Sequence, residues 1–308
     1  MESFAIWYES DEEDIDAKLN INLLKNASGV ENPYCLDIGM LIYKGRKIKS
    51  VELYIPQEIN KEDITDLGKL MISDDVLTRA IFNAKIEVKS SRPDHEEYEK
   101  LITIKDGNID VLLISFDKSS AWEVSVHEGF SIIKINIAKL LDKTSHNFYF
   151  RLRIKLHNAG GISLDEPPKW WFLQSAFSQM EVIEFRVNDH RLFNRYIVEQ
   201  LESKKLFRLK KTHFFIIREI YDEIVDEYGI KDIRLLEPEI WNKYINGLNL
   251  KGKLIAYHYC NEKDSDNVLF FSRIRYQKIK GWRVLVYSLG VIFLAIIANI
   301  CTHMLVKC

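Results

Sequence analysis

The chain has 308 residues, of which 47% are hydrophobic, 29% are charged and 12% are aromatic. With only 13 glycines and 6 prolines, this composition excludes collagen-like, low-complexity and wholly disordered proteins. The net charge of −2 hides an asymmetry, because residues 1–189 carry a net charge of −9, residues 190–276 carry +3 and residues 277–308 carry +4. The acidic first part repels phosphate backbones, so any nucleic-acid binding would have to lie in the later part.

The first 190 residues repeatedly alternate apolar and polar side chains, which is the pattern of half-buried β-strands. The clearest predicted strand is Phe148–Leu156. The others are 4–8, 38–43, 51–55, 84–88, 111–116, 122–126, 133–137 and 183–187. Two short helices are expected among them, one from Asn60 through Met71 and one capped by Ser73. Many short strands with close turns favour an antiparallel sandwich or open barrel.

The hydrophobic period changes after residue 190, where apolar residues recur at helical spacing. The predicted elements are helices over 192–201, 212–229 and 238–247 and strands over 253–260 and 267–276. The two strands are expected to form a β-hairpin that leads directly into the C-terminal segment. We therefore predict an α+β fold, with a β-rich cytoplasmic domain over 1–189 and a helical segment plus β-hairpin over 190–276.

The last segment, 277–308, gives the strongest signal in the sequence. Its residues 284–306 contain no formally charged side chain, and a helix of this length spans about 35 Å against a hydrocarbon core of about 30 Å. The basic and aromatic residues just before it are suited to the membrane interface, and they are Arg273, Arg275, Lys278, Lys280, Trp282 and Arg283. Because only Lys307 follows the run, we predict a single-pass, tail-anchored protein of the inner (plasma) membrane with residues 1–283 in the cytoplasm.

Three residues inside the predicted transmembrane helix suit contact with a neighbouring helix. Gly290 and Ala298 are small enough for close approach, and the Asn299 amide can form a hydrogen bond between helices. The segment lacks a GxxxG motif, and Asn299 could instead sit near the interface without a partner. Self-association of the anchor and a passive role for these residues are therefore both open.

The densest basic patch of the body consists of Lys204, Lys205, Arg208, Lys210 and Lys211. The predicted helices and hairpin around it resemble a winged helix-turn-helix only in outline. The third predicted helix offers few side chains that read base edges, so nucleic acid is possible but not favoured as a partner. The patch fits an anionic partner or lipid headgroups better, or it has no ligand.

The segment 157–169 contains two adjacent glycines and two adjacent prolines and is the best candidate for an irregular functional loop. It precedes Trp170 and Trp171, which we include among the candidate ligand- or partner-binding residues. The interpretation that we favour for the pair is structural, with one ring in the core and the other covering a sheet edge.

Signatures of catalysis or of cofactor binding are missing. The sequence has no phosphate-binding loop, no nucleophile elbow and no HExxH motif, so no catalytic residue and no cofactor is predicted. Its four cysteines show no metal-ligand spacing and suit a reducing compartment. The side chains of His127, His157, Asp165 and Glu166 would form a hydrolytic or metal site only if the fold brought them together. An enzyme is therefore the less favoured interpretation.

These observations predict a membrane protein whose cytoplasmic domain senses a ligand or a protein partner and acts on the bilayer by oligomerisation. A sensing domain on a short anchor is similar in layout to effectors of prokaryotic antiviral defence systems. The alternatives are a membrane-tethered scaffold that recruits a partner protein and a nucleic-acid binder acting through 204–211. The expected partners are the lipid bilayer and a protein partner, a second copy of the chain, or both.

Overall fold

The computed structural model describes residues 2–11, 14–26, 34–44, 48–89, 98–116, 121–139, 147–159, 161–166, 178–226, 229–248, 250, 252–277 and 281–306. For residues 139, 277, 281–283 and 304–306 it describes the backbone only. Strands dominate these ranges and form three sheets, none of which closes into a barrel within the described residues. The β-rich fold is confirmed, and all nine strands predicted in the first 190 residues are present.

The first sheet has five antiparallel strands. In order across the sheet they are β14 (Lys205–Leu206), β1 (Ala5–Ser10), β4 (Ile48–Ile55), β10 (Phe130–Asn136) and β9 (Trp122–His127). The period-2 alternation places Ile6 and Val51 in the main core, and Trp7 and Ile132 on the opposite face. Helix α3 (Arg195–Leu201) lies within the helix predicted over 192–201. It covers the second face of the sheet through Ile197.

The second and largest sheet has ten strands. In order they are β17 (Ile230–Leu235), β18 (Leu254–Asn261), β15 (Arg208–Glu219), β2 (Asp16–Lys25), β3 (Tyr34–Ile42), β11 (Phe148–Leu156), β8 (Ile109–Ile114), β7 (Glu99–Ile104) and β6 (Ile86–Val88), with β5 (Ile64–Asp66) beside β11. Strand β15 runs parallel to β2, although 192 residues separate the paired Arg208 and Asp16. Strand pairing therefore crosses the predicted boundary after residue 189.

The third sheet contains the last strand before the C-terminal helix. Its antiparallel strands are β12 (Ser163–Glu166), β13 (Ser178–Val187), β19 (Val268–Gln277) and β16 (Glu223–Ile224). Strand β19 pairs with β13 along its whole length and is followed, after residues 278–280, by helix α5 (Gly281–Val306).

Three short helices, α1 (Gly68–Ser73), α2 (Asp75–Phe82) and α4 (Pro238–Trp241), lie over the outer face of the ten-stranded sheet. The Asp74 carboxylate caps α2 by accepting hydrogen bonds from the backbone N–H groups of Val76 and Leu77, both at 3.1 Å. The predicted cap at Ser73 is thus wrong by one residue. The helix predicted from Asn60 is also wrong, because a short 3-10 turn and strand β5 precede α1.

The helix predicted over 212–229 is wrong, because residues 208–219 form strand β15. The apolar residues around Ile216 and Ile217 mimic a helical period, but both faces of this strand are covered. Pairing with β2 and β18 on its two sides outweighs that local pattern. The helix predicted over 238–247 is present only in its first part, as α4 (Pro238–Trp241).

The two strands predicted over 253–260 and 267–276 are present as β18 and β19, but their pairing differs from the predicted hairpin. Strand β18 pairs with β15 and β17, whereas β19 pairs with β13 and β16. The polar connection between the two strands therefore crosses from the ten-stranded sheet to the four-stranded sheet.

Helix α5 is the apolar helix expected from the sequence. In the part of the chain that the structure describes, it alone is long and apolar enough to cross a membrane, over Val284–His303. Eleven of its large apolar side chains are more than one third exposed. At about 1.5–3 kcal/mol for each such side chain left in water, the cost is on the order of 20 kcal/mol, which exceeds the net stability of a typical domain. The helix is consistent with a single-pass membrane anchor.

Buried ions connect the four-stranded sheet to the ten-stranded sheet. The Glu181 carboxylate on β13 accepts hydrogen bonds from Arg218 on β15, at 2.9 Å, and from Lys25 on β2, at 2.6 Å. Its second oxygen accepts a hydrogen bond from the Ser163 hydroxyl. Burial and the nearby Arg218 charge lower the pKa of Lys25. One carboxylate thus holds two cations between the sheets, in what we call the intersheet ion cluster.

The intersheet ion cluster is expected to contribute strongly to stability, because removing the carboxylate takes the counter-ion from the buried Arg218 and from the partly exposed Lys25. We expect Glu181→Gln to lower the free energy of unfolding by about 3–5 kcal/mol. The measurement is urea unfolding of the full chain in detergent, followed by tryptophan fluorescence.

The matched control is Glu223→Gln, which removes an exposed ion pair to Arg275 at 3.2 Å on the same sheet. A change within about 1 kcal/mol is expected for this variant. Equal effects of the two substitutions would contradict the assigned role of the cluster.

Candidate functional site

A cleft of about 530 Å³ opens on the outer face of the ten-stranded sheet, beside the end of helix α2. Four cations line it, namely Lys18 on β2, Lys211 on β15, and Lys231 and Arg234 on β17. The carboxylates that line it are Asp106 and Asp232. Cations exceed carboxylates among these side chains, so the electrostatics of the cleft favour an anionic ligand.

Aromatic rings form part of the cleft wall. The Phe215 ring stacks on His258 with centroids 4.4 Å apart and an interplanar angle of 8°. The Arg234 guanidinium lies 6.0 Å from the centroid of Phe215, and Phe82 of α2 also lines the cleft. Flat aromatic surface beside cations is suited to an anion that carries a planar group.

Two histidines and a cysteine meet at the cleft. His213 Nδ1 lies 2.8 Å from His258 Nε2, and the ligating atoms of His213, His258 and Cys260 all lie within 4.8 Å of one another. Burial, together with the positive charges of nearby lysines, lowers the pKa of both histidines to about 4. Both imidazoles are therefore uncharged at neutral pH.

Below the cleft, the sheet carries a buried polar network. The Arg153 guanidinium donates two hydrogen bonds to the Asp37 carboxylate, at 2.7 and 2.9 Å. The Tyr244 hydroxyl donates to the same carboxylate and accepts a hydrogen bond from Arg151 Nε at 2.7 Å. Arg151 also donates to the Tyr149 hydroxyl at 2.9 Å. The Asp37 carboxylate is thus bonded directly to Arg153 and, through the Tyr244 hydroxyl, is connected to Arg151, so that each member of the network is held by at least one other.

This network adjoins the cleft through a second, smaller pocket. Asn20, Phe215 and Arg234 line both spaces, and Arg151 lines the smaller one. The buried guanidinium of Arg151 thus adds positive charge to the floor beneath the four cations of the cleft.

Gly39 on β3 leaves the space that the Tyr149 and Arg151 side chains of the buried polar network occupy. A Cβ atom there would lie 2.1 Å from the Tyr149 hydroxyl oxygen and 2.6 Å from Arg151 Nη1. Both side chains cross the backbone of β3 where the residue has no side chain. The close approach therefore requires glycine.

The basic patch predicted over 204–211 is spread over two strands, and most of its cations pair with carboxylates. Lys204 donates to both oxygens of Glu52 at 2.8 and 2.7 Å, while Lys205 lies half-buried on β14. The remaining ion pairs join Arg208 to Asp16 at 2.5 Å, Lys210 to Asp264 at 2.5 Å and Lys211 to Glu262 at 3.0 Å. Lys211 is the patch residue that lines the cleft.

The predicted interface residues Arg273 and Arg275 lie on the exposed face of β19. Arg273 pairs with Asp226 at 2.9 Å, and Arg275 pairs with Glu223 at 3.2 Å. The candidates Lys278, Lys280, Trp170 and Trp171 lie outside the described residues, as do the side chains of Trp282 and Arg283.

The candidates for helix association, Gly290, Ala298 and Asn299, are exposed on α5. The Thr302 hydroxyl donates to the Ala298 carbonyl within the same helix at 2.7 Å. No other part of the described chain covers Gly290, since a Cβ atom there would meet nothing within 4 Å. Association of these helices stays a prediction.

The four residues considered for a hydrolytic site have separate partners. His157 contacts Asp63 at 3.0 Å, Asp165 accepts a hydrogen bond from Tyr276 at 2.9 Å, and His127 stacks on Phe130. Glu166 is exposed at the end of β12. These contacts supply no shared catalytic geometry.

Sequence reasoning missed the cleft because its residues come from strands far apart in the chain. The useful signal was the alternation within β15, where His213 and Phe215 face one side and Phe214 faces the other. The His-x-Cys spacing of His258 and Cys260 likewise places both side chains on one face of a strand.

Comparison with known proteins does not assign the chain to a family. No protein-family model and no curated protein matches the sequence. Among solved structures, the yeast delta-COP-I mu-homology domain complexed with Dsl1 WxWxV peptide aligns at 10% identity over 91% of this chain and 76% of that chain, with a TM-score of 0.18. A likeness this low carries no argument about fold or function.

Replacement of Gly39 is expected to disrupt the floor of the cleft. Gly39→Ala forces Tyr149 or Arg151 out of place, and overpacking of this kind costs about 1–3 kcal/mol. We expect a lower urea midpoint for the full chain in detergent.

The control is Gly161→Ala, because a Cβ atom there would meet Glu2 at 3.5 Å, an ordinary contact distance. Its urea midpoint should stay close to that of the wild type. If Gly39→Ala were equally neutral, the tight crossing at β3 would be refuted.

Proposed function

We propose that the protein is a membrane-anchored binding protein whose cleft takes an anionic ligand with a planar group. The observation that carries this proposal is the cleft itself, where four cations and the Phe215 ring meet on one rigid sheet face. The buried Asp37–Arg153 pair and Gly39 fix that face from below. A preformed site of this kind loses little conformational entropy when it binds.

The four cations of the cleft differ in whether they already contact a carboxylate. Lys211 and Lys231 both contact the Glu262 carboxylate, at 3.0 and 2.6 Å. Arg234 donates to the neutral Asn83 amide at 3.4 Å, and Lys18 lies 5.7 Å from the centroid of the Tyr43 ring. These two contacts are with neutral groups and do not neutralise the positive charges of Arg234 and Lys18. We therefore expect Arg234 and Lys18 to make the main charged contacts with an anionic ligand.

The anchor sets where this binding occurs. The unburied apolar helix α5 supports insertion into a bilayer, and the basic residues that precede it support a cytoplasmic position for residues 1–283 at the inner (plasma) membrane. The ligand would then be a molecule of the cytoplasm, such as a nucleotide or another phosphorylated compound with a ring.

The path from cleft to anchor supports a sensing role. Strand β15 contributes His213 and Phe215 to the cleft and Arg218 to the intersheet ion cluster. The partner carboxylate, Glu181, lies on β13 opposite Ile274 of β19, three residues before that strand ends. Ligand binding could bias the orientation of β19 and hence of α5. The resemblance to antiviral effectors and action through oligomerisation stay predictions.

The test is calorimetric titration of the full chain in detergent micelles, after treatment with a chelator, with two probes. ATP carries both phosphates and a planar base, whereas inorganic pyrophosphate carries charge alone. We expect saturable binding of both, tighter for ATP, and weaker binding as salt rises.

The variants Lys18→Gln and Arg234→Gln should each raise the Kd for ATP about tenfold or more, because a hydrogen bond to a charged group contributes about 1.5–3 kcal/mol. Lys49→Gln is the control, since Lys49 pairs with Asp11 on an exposed surface. The Lys49→Gln control should bind ATP as the wild type does. The proposal fails if neither probe saturates, or if Lys18→Gln and Arg234→Gln also bind ATP as the wild type does.

A further inference from the structure

We propose that His213, His258 and Cys260 form a binding site for one transition-metal ion of the zinc class at the edge of the cleft. The inference goes beyond the proposed function, because it requires no anionic ligand. Its basis is the convergence of three ligating side chains from two paired strands.

Sheet geometry alone brings the three side chains together. His258 and Cys260 are two residues apart on β18, so both point to the same face of the sheet. His213 on β15 is the direct cross-strand partner of Cys260. Directly opposed residues have Cβ atoms about 4.5–5.5 Å apart, which is close enough for shared coordination.

The distances fit a metal centre with only a small adjustment. Zinc bonds of about 2.0–2.1 Å to nitrogen and about 2.3 Å to sulfur place tetrahedral ligand atoms roughly 3.3–3.7 Å apart. The three ligating atoms already lie within 4.8 Å of one another. The two imidazole nitrogens, now 2.8 Å apart, must separate by about half an ångström to admit the ion.

The donor chemistry selects the class of metal. Two imidazoles and one thiolate are borderline-soft donors, which suit Zn²⁺ and Co²⁺ and not Ca²⁺ or Mg²⁺. When both nitrogens bind the metal, their hydrogen bond is broken, and the proton of the donor imidazole moves, through solvent, to the other nitrogen of the same ring. The Cys260 thiol gives up its proton to solvent as the sulfur–metal bond forms.

The positive charges of Lys18, Lys211, Lys231 and Arg234 around the two histidines oppose a cation. The ionised Cys260 thiolate offsets part of this charge, and so does the Glu262 carboxylate, which contacts Lys211 and Lys231. That carboxylate also lies 3.7 Å from the Cys260 sulfur. Three protein ligands leave a fourth coordination position for water or an anion, and the two lysines favour an anion there.

Cobalt titration of the full chain in detergent micelles tests the site directly. After treatment with a chelator, one equivalent of Co²⁺ should produce a thiolate-to-cobalt charge-transfer band in the near ultraviolet. The band should disappear in Cys260→Ser, and the Kd for Co²⁺ should rise at least about tenfold in His213→Asn and His258→Asn.

Matched controls separate this site from other thiols and imidazoles. Cys301→Ser removes an exposed thiol on α5, and His190→Asn removes an exposed histidine paired with Asp266. Both variants should keep the band and the Kd of the wild type. A band that survives in Cys260→Ser, or no stoichiometric band in the wild type, would overturn the proposal.

A second measurement on the wild-type chain does not depend on the folding of any variant. Alkylation of Cys260, followed by peptide mass spectrometry, should slow at least about tenfold when one equivalent of Zn²⁺ is present, because coordination protects the thiolate. Alkylation of Cys301 should be unchanged. An unaltered rate at Cys260 would contradict the site. ATP binding is measured on chelator-treated protein, so failure of the metal site leaves the proposed function intact.

Discussion

The arrangement of this molecule depends on the buried carboxylate of Glu181. It lies on the sheet whose strand β19 precedes helix α5, and it holds Arg218 and Lys25 of the sheet that carries the cleft. Arg218 is only 1% exposed, and its Nε and Nη1 atoms find no partner among the described residues. An arginine in this state is stable only while its one carboxylate stays in place. The relative position of the four-stranded sheet and the ten-stranded sheet is therefore held by a contact that is costly to break.

The two faces of the ten-stranded sheet have different surroundings, because one packs into the main core and the other lines the cleft. Leu19, Ile21 and Leu23 of β2 point into the main core, whereas Lys18 and Asn20 of the same strand line the cleft. The outer face is buried only in part, by three short helices, so polar side chains remain there with hydrogen-bond partners. The side chains that line the cleft and those that pack in the core thus alternate along the same strands, so the packed core supports the geometry of the cleft.

The sequence alone predicted the features that depend on local pattern. Strands such as Phe148–Leu156 and the apolar helix α5 follow from period-2 alternation and from uninterrupted hydrophobicity. The sequence predicted a helix at β15, because its consecutive isoleucines imitate a helical period. The segment is a strand because it pairs in parallel with β2, which lies 192 residues away in the chain. The cleft was missed for the same reason, because no short-range pattern shows that Lys18 and Arg234 meet.

The central claim is that α5 lies in lipid while the rest of the described chain folds and binds beside it. Alkaline carbonate extraction of membranes tests it, comparing the wild type with the double variant Ile292→Lys plus Ile296→Lys and with the conservative pair Ile292→Leu plus Ile296→Leu. Each lysine at mid-helix costs about 2.5–3.5 kcal/mol of insertion free energy. The account predicts that the wild type and the leucine pair stay in the pellet and the lysine pair is released. Release of the wild type as a monodisperse species without detergent would contradict it.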